Sequence, residues 1–280
     1  VATLCVPVIA FILSSYKSIT TDETPIIGEK NLVGIIFLII GLAIASYMIK
    51  ILISVTLEER KKLIMAILIT FFMTLFWGFH ELSGSVITLF ASRNVALEGI
   101  MTAAQTNSLN SMFIIILAIP ISLLWGYLSK KNLNPRTPYK FGLGLVLAGA
   151  SFYILALSKG SADANGMVPF AYLIVMYLIL SIGELFMSPV GLSKITDLSP
   201  KKIVAFMMGI WFLSSAYAFQ IVGFIGKQLA VESTDVNVGG LDTLGIYTDG
   251  FMLIAKYALG AGLIVILFSP LMKKLMGKVH

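Results

Sequence analysis

Long apolar windows separated by short polar stretches constrain this chain more than any other feature of its sequence. Of its 280 residues, 58% are hydrophobic and only 12% are charged, which is about half the charge of an ordinary water-soluble domain. The apolar windows are long enough for helices that cross a hydrocarbon core of ~30 Å. They lack the strict alternation of apolar and polar residues that is typical of a membrane-spanning barrel. The sequence therefore predicts an all-α polytopic membrane protein.

We interpret eight apolar windows as transmembrane helices. They cover Val1 to Tyr16, Leu32 to Ser54, Leu63 to Ser92, Ser108 to Ser129, Tyr139 to Leu157, Pro169 to Leu192, Ile203 to Leu229 and Gly250 to Met276. The first window is short for a full span and has neither an initiator Met nor a basic leader region, so we expect the chain to begin inside a longer protein. The polar stretch from Val231 to Asp249 is predicted to be an external loop.

Basic and acidic residues alternate from loop to loop. Lys and Arg follow the second, fourth, sixth and last windows, whereas the loops between them carry acids such as Asp22, Asp163 and Asp242. Because Lys and Arg collect on the cytoplasmic side of a membrane, both ends of the chain are predicted to be cytoplasmic. The same distribution explains the net charge of +6 without any binding of nucleic acid.

An acidic residue, Glu184, lies in the middle of the sixth window. A carboxylate in hydrocarbon costs at least ~3 kcal/mol, so we expect it to face the bundle interior or a watery cavity. Ser188 lies four residues further on the same helix face, and Pro189 interrupts the backbone hydrogen-bond ladder just beyond it. This combination favours the binding of an ammonium group, with a fixed ion pair to a helix missing from this chain as the alternative.

A second acid, Glu81, lies in the third window beside His80. On a continuous helix Glu81 shares a face with Trp77 and Ser85, while the neighbouring residue points about 100° away. We favour proton handling or an ion pair for Glu81 over an interhelical hydrogen bond, and a structural role for His80, which has no partner in view. The pair is not a zinc-protease motif, because Gly84 stands where the second His belongs. No metal site is predicted.

Two further windows carry polar or aromatic groups at membrane depth. Asn110 in the fourth window can hold either end of a polar ligand or bind a neighbouring helix. Trp211 in the seventh window lies too deep for an interfacial residue, so it forms either a pocket wall or core packing. Cys5 is the one cysteine, which excludes a disulfide within the chain, and we interpret it as a small buried hydrophobe.

Several stretches resemble the proton-dependent oligopeptide transporter family, a branch of the major facilitator superfamily, and they follow the family's order. These stretches are Phe76-Trp77 with Glu81 and Ser85, Ser108 to Asn110, Pro120 with Trp125, Asn134 to Gly144, Gly183 to Ser193 and Met207 to Ser214. The resemblance implies that residues 1–62 form the extra transmembrane hairpin and linker that bacterial members insert between their halves. Residues 63–280 then form the six-helix C-terminal bundle.

The resemblance also implies a function and a site. The chain would be the C-terminal half of a proton-coupled di- and tripeptide symporter that works by alternating access, with the proton as coupling ion and no cofactor. Glu184 is similar to the carboxylate that grips the peptide amino terminus, and Glu81 to the acid of proton coupling. The residues similar to other pocket residues are Ser188, Asn110, Trp77 and Trp211. Two departures, Leu82 for the family's Gln and Ser111 for its Pro, bear on substrate range and coupling.

The implied partners are small peptides, an N-terminal six-helix half and the lipid bilayer of a plasma membrane, here the bacterial inner membrane. The alternatives are a non-transporting membrane scaffold, which has no need of two buried acids, and a family member that carries another small solute. An intramembrane hydrolase is disfavoured, because neither His80 nor His280 has a suitable Ser or Cys at helical spacing. Enzymatic activity is therefore not expected.

The alternation of loop charges predicts the topology, which cysteine labelling of the complete protein can test after Cys5 is replaced by Ser. Single cysteines in basic loops should react only from the cytoplasm, and those in acidic loops only from outside. The positions are Lys61, Lys131 and Lys201 for the first group, and Asp22, Asp163 and Asp242 for the second. Labelling of any basic-loop position from outside would contradict the eight-span topology.

Overall fold

The computed structural model describes residues 32–97, 99–229 and 240–276. Within these ranges, seven helical segments are long and apolar enough to cross a membrane. The predicted first span, Val1 to Tyr16, and Cys5 lie outside the described residues. The chain divides into two compact units, Val1–Arg60 and Lys61–His280.

In the first unit, polar contacts define the turn between two apolar helices. Helix α1 (Leu32–Ser54) has the predicted bounds, and α2 (Leu57–His80) begins after a short turn. The Arg60 Nε donates to the carbonyl of Leu52 at 2.6 Å and so satisfies a carbonyl in the last turn of α1. Thr56 and Glu59 form a capping box, in which the Glu59 amide donates to Thr56 Oγ1 at 3.4 Å and the Thr56 amide to Glu59 Oε2 at 3.1 Å.

The second unit is almost wholly helical in its described part. After α2 come the 3-10 turn Glu81–Gly84, α3 (Val86–Asn94), the 3-10 turn Ala103–Asn107, α4 (Ser108–Lys130), α5 (Thr137–Leu157), the 3-10 turn Ser158–Ser161, α6 (Ala171–Leu198), the 3-10 turn Lys201–Ile203, α7 (Val204–Leu229) and α8 (Gly240–Met276). Two short strands, β1 (Val95–Ala96) and β2 (Val168–Pro169), pair in parallel.

The predicted third span is interrupted at its acidic residue. Gly84 is a poor helix former, and nearby hydroxyls bond to the backbone instead of leaving it to a regular helix. Ser85 Oγ donates to the carbonyl of Leu82 at 3.4 Å, and Thr88 Oγ1 donates to that of Ser83 at 2.9 Å. The Ser85 hydroxyl therefore forms its hydrogen bond within its own turn. In a continuous helix it would lie beside Glu81.

Helix α8 begins at Gly240, inside the stretch through Asp249 that the sequence assigned to an external loop. Aromatic packing explains the difference, because Tyr247 is fully buried despite lying before the apolar window. Its ring centroid lies 5.7 Å from that of Phe90 and 6.2 Å from that of Phe251. The helix therefore starts earlier than hydropathy alone indicates.

Glycines let α6 and α8 approach α5, which packs more extensively against these two helices than against any other described element. A Cβ atom on Gly144 of α5 would lie 3.1 Å from the carbonyl oxygen of Gly183 on α6. On the other side, a Cβ atom on Gly262 of α8 would lie 2.8 Å from the carbonyl oxygen of Gly142. Backbone contacts this close leave no room for a larger residue and are typical of helix packing in membranes.

One face of α4 carries an apolar stripe that the described part of the chain leaves uncovered. Ile115, Ile119 and Leu123 follow one another at four-residue spacing and are 75%, 69% and 69% exposed. Side chains of this kind are normally covered by lipid or by another protein surface. The face is therefore suited to the membrane or to another bundle of helices.

The glycine contacts predict that Gly144→Ala destabilises the bundle. The added methyl group would press on Met187 and on the backbone of Gly183, which cannot move without shifting α6. Overpacking of this kind costs about 1–3 kcal/mol, measurable as a lower melting temperature of the purified complete protein. The matched control is Gly209→Ala, because a Cβ atom there meets nothing within 4 Å. Equal melting temperatures for the two variants would contradict the packing.

Candidate functional site

Four polar side chains from separate segments converge inside the second unit. His80 is the last residue of α2, and Glu81 opens the 3-10 turn that follows it. Asn110 lies in the first turn of α4, and Glu184 lies halfway along α6. The cluster thus forms where an interrupted helix, a helix start and the middle of a long helix meet.

Glu184 is held by an amide from the neighbouring helix. The Asn110 Nδ2 donates to Glu184 Oε2 at 3.2 Å and to Ser181 Oγ at 3.0 Å, and Ser181 Oγ donates to the Asn110 carbonyl at 3.4 Å. The Glu184 side chain is 17% exposed. Because a hydrogen bond to an ionised group is stronger than a neutral one, the amide favours the charged carboxylate at this depth.

His80 lies against the same carboxylate oxygen. Its Nε2 is 3.0 Å from Glu184 Oε2, and its Nδ1 is 3.8 Å from Glu81 Oε1. Neither nitrogen forms an aligned hydrogen bond in the described part of the chain, and both contacts are ion pairs when the imidazole is protonated. The imidazole is buried, with 9% of its side chain exposed, and it stands between the two acids.

Glu81 is the more accessible of the two acids, since 29% of its side chain is exposed. It lies in the 3-10 turn rather than in a regular helix. Irregular backbone at membrane depth is tolerated where it is buried in protein or lines a cavity. Glu81 therefore lies outside the regular helices, with its carboxylate partly exposed.

Aromatic rings enclose the histidine. The Trp77 ring meets the His80 ring edge to face with centroids 4.9 Å apart, and the Phe76 ring lies 5.8 Å away. Phe76 is fully buried, whereas Trp77 retains partial exposure. Trp77 thus forms a wall at the edge of the cluster.

The two remaining predicted site residues lie further along α6 or against it. Ser188 is one helical turn beyond Glu184, and its Oγ is buried without a hydrogen-bond partner among the described residues. Trp211 of α7 is 7% exposed and packs its ring against Gly191, about 10 Å along α6 from Glu184 at 1.5 Å per residue. Their membership of one pocket with Glu184 stays a prediction.

Two contacts of the site do not follow from the sequence pattern, that of His80 with Glu184 and that of Ser181 with Asn110. His80 was given a structural role because its partner lies on another helix about a hundred positions away, which no local spacing shows. Ser181 precedes Glu184 by three residues, so its place on the same helix face was a signal that could have found it. Among the described residues, no three His, Cys, Asp or Glu side chains are grouped to hold a metal ion.

The comparisons with known proteins agree with one another. The family model "PTR2: POT family" matches residues 5–241. Dipeptide and tripeptide permease A of Pectobacterium carotovorum subsp. carotovorum (strain PC1) is 31% identical over 235 residues, which cover 83% of this chain and 46% of that protein.

Solved structures of POT family transporters also match this chain. A crystal structure of peptide transporter POT in complex with sulfate superposes with a TM-score of 0.75 at 29% identity and covers 98% of this chain and 53% of that one. A POT family transporter in complex with a thioalcohol conjugated peptide gives a TM-score of 0.72 at 27% identity, covering 97% and 53%. The chain therefore spans about half the length of the relatives it matches.

The apolar helices and the likeness to solved POT structures define an integral, multi-pass membrane protein. The chain belongs to the POT family. The fold class predicted from the sequence, a helical membrane bundle of this family, is confirmed.

Proposed function

We propose that this chain is the C-terminal half of a proton-coupled symporter for di- and tripeptides. The observation that carries the proposal is the Glu184 carboxylate, which lies mid-span and is held by Asn110 at 3.2 Å. Support comes from relatives named for dipeptide and tripeptide transport and from a related transporter solved with a conjugated peptide.

Glu184 grips the peptide's amino terminus. An ammonium group that leaves water needs a carboxylate and further acceptors, because an unpaired buried charge is very costly. Ser188 offers a hydroxyl one turn away on the same helix, and Trp77 offers an aromatic face that attracts cations. Trp211 closes the pocket further along α6. This arrangement favours ligands with a free amino group over acylated ones.

Glu81 takes up and releases the coupling proton. It is partly exposed, and it lies in the interrupted segment beside the site rather than on Glu184's own helix. A proton that moves inward supplies about 2.3 kcal/mol per 100 mV of membrane potential, enough to drive uphill uptake of a small solute. The driving ion is the proton, and no cofactor takes part.

The complete transporter needs a second bundle. Alternating access works by rocking two halves about a central site, and the chain covers about half of its relatives' length. The partner is an N-terminal half of six helices, with the bilayer around both halves. We place the protein in the bacterial inner membrane, with both ends of this chain on the cytoplasmic side and residues 1–62 as the hairpin and linker between the halves.

Glu184→Gln tests the function most directly. Removing the negative charge should lower the affinity of the purified complete protein for Ala-Ala at least about thirtyfold, since loss of one partner from a buried charge pair costs 2–5 kcal/mol. Isothermal titration measures the affinity, and Glu58→Gln, an exposed acid on α2, is the matched control. Unchanged affinity in the Glu184 variant would contradict the assignment and favour another solute or a scaffold.

Glu81→Gln separates proton coupling from substrate binding. In vesicles with an imposed pH gradient, the variant should lose driven uptake of labelled dipeptide, because Gln cannot carry the proton. Counterflow, in which substrate exchanges for substrate without net proton movement, should remain. A carboxylate that only holds helices together would lose both activities in parallel and would lower the melting temperature.

A further inference from the structure

The two carboxylates of the site face the two nitrogens of one imidazole. His80 Nε2 lies 3.0 Å from Glu184 Oε2, and His80 Nδ1 lies 3.8 Å from Glu81 Oε1. Only the imidazolium form carries an N–H on both nitrogens, while a neutral ring offers one donor and one acceptor. Both nitrogens lie within ion-pair distance of a carboxylate oxygen, a position that suits a cation.

The protein holds this ring in place. Phe76 and Trp77 contact it from α2, with ring centroids 5.8 Å and 4.9 Å away. The charged groups that face it, within the described part of the chain, are Glu184 of α6 and Glu81 of the 3-10 turn, whereas α4 contributes the neutral Asn110. A cation in this position meets two acids and no competing base.

We propose that His80 is a resident cation of the ammonium subsite, which competes with the substrate's amino terminus for Glu184. The inference rests on the proposed function and names a regulation of that same site. A carboxylate that is already neutralised attracts a second cation less strongly, and the two cations also repel each other across a medium of low dielectric. Binding of an ammonium group therefore requires the His80 contact with Glu184 to weaken.

The contact between His80 Nδ1 and Glu81 can hold the imidazolium after it moves away from Glu184. When Glu184 turns to the substrate, His80 still faces Glu81, the acid to which we assign proton coupling. The His80 side chain then links the binding of an ammonium group at Glu184 to the charge on Glu81. His80 acts here as a positioning and specificity residue, not as a binding group for the peptide.

The competitor is a charge, so its effect depends on the charge of the ligand. Removing it should raise the affinity for a free amino group, because Glu184 is then left without its cation. A ligand without an amino group should not respond.

Titration of the purified complete protein, without a pH gradient, tests this with Ala-Ala and N-acetyl-Ala-Ala. His80→Gln should bind Ala-Ala about tenfold more tightly than wild type at pH 5.5, a difference of about 1.4 kcal/mol. Binding of the acetylated peptide should not change. His80→Arg, whose guanidinium stays charged, should bind Ala-Ala no more tightly than wild type. Unchanged or weaker Ala-Ala binding by His80→Gln would overturn the inference.

A second measurement needs no peptide. If wild type binds neither dipeptide, the proposed function fails, yet the His80 contact can still be tested by a double-mutant cycle on melting temperature. His80→Gln and Glu184→Gln should be coupled, because each variant removes one partner of the same contact. Additive effects would overturn the inference independently of transport.

Discussion

The structure depends on providing polar partners for the Glu184 carboxylate inside an apolar bundle. Water is not available in hydrocarbon to solvate an isolated ion, so the protein must supply its partners. Asn110 supplies a donor at 3.2 Å from α4, and His80 supplies a potential cation at 3.0 Å from α2. Three helices that are distant in sequence are thereby brought together by one charged group.

Close helix packing provides the precision that this contact needs. Gly183, the residue before Glu184, lies against the backbone of Gly144, where a Cβ atom would come within 3.0 Å of the Gly144 carbonyl oxygen. That contact sets the depth and rotation of α6 and therefore the direction of the Glu184 side chain. The interruption of α2 after His80 sets the other side of the site, because it allows His80 and Glu81 to face one cluster despite being adjacent in sequence.

The sequence predicted the helical spans well and the site only in part. Hydropathy located α1 at Leu32–Ser54, since a run of apolar residues between polar ends determines a membrane helix almost alone. It missed the start of α8, where buried Tyr247 extends the helix into a polar stretch. It also gave His80 no partner, because local spacing does not show which residue of another helix lies opposite a histidine. Helix periodicity shows which residues share a face of one helix, but it does not show which residues of other helices they contact.

In the mechanism proposed here, Glu184 receives a substrate ammonium in competition with His80. A cryo-EM structure of the complete protein with bound Ala-Ala is the most direct test. The peptide nitrogen should lie within about 3 Å of a Glu184 carboxylate oxygen, with His80 Nε2 further from Glu184 Oε2 than the 3.0 Å of the present structure. A peptide nitrogen bound elsewhere, with the His80–Glu184 contact intact, would contradict it.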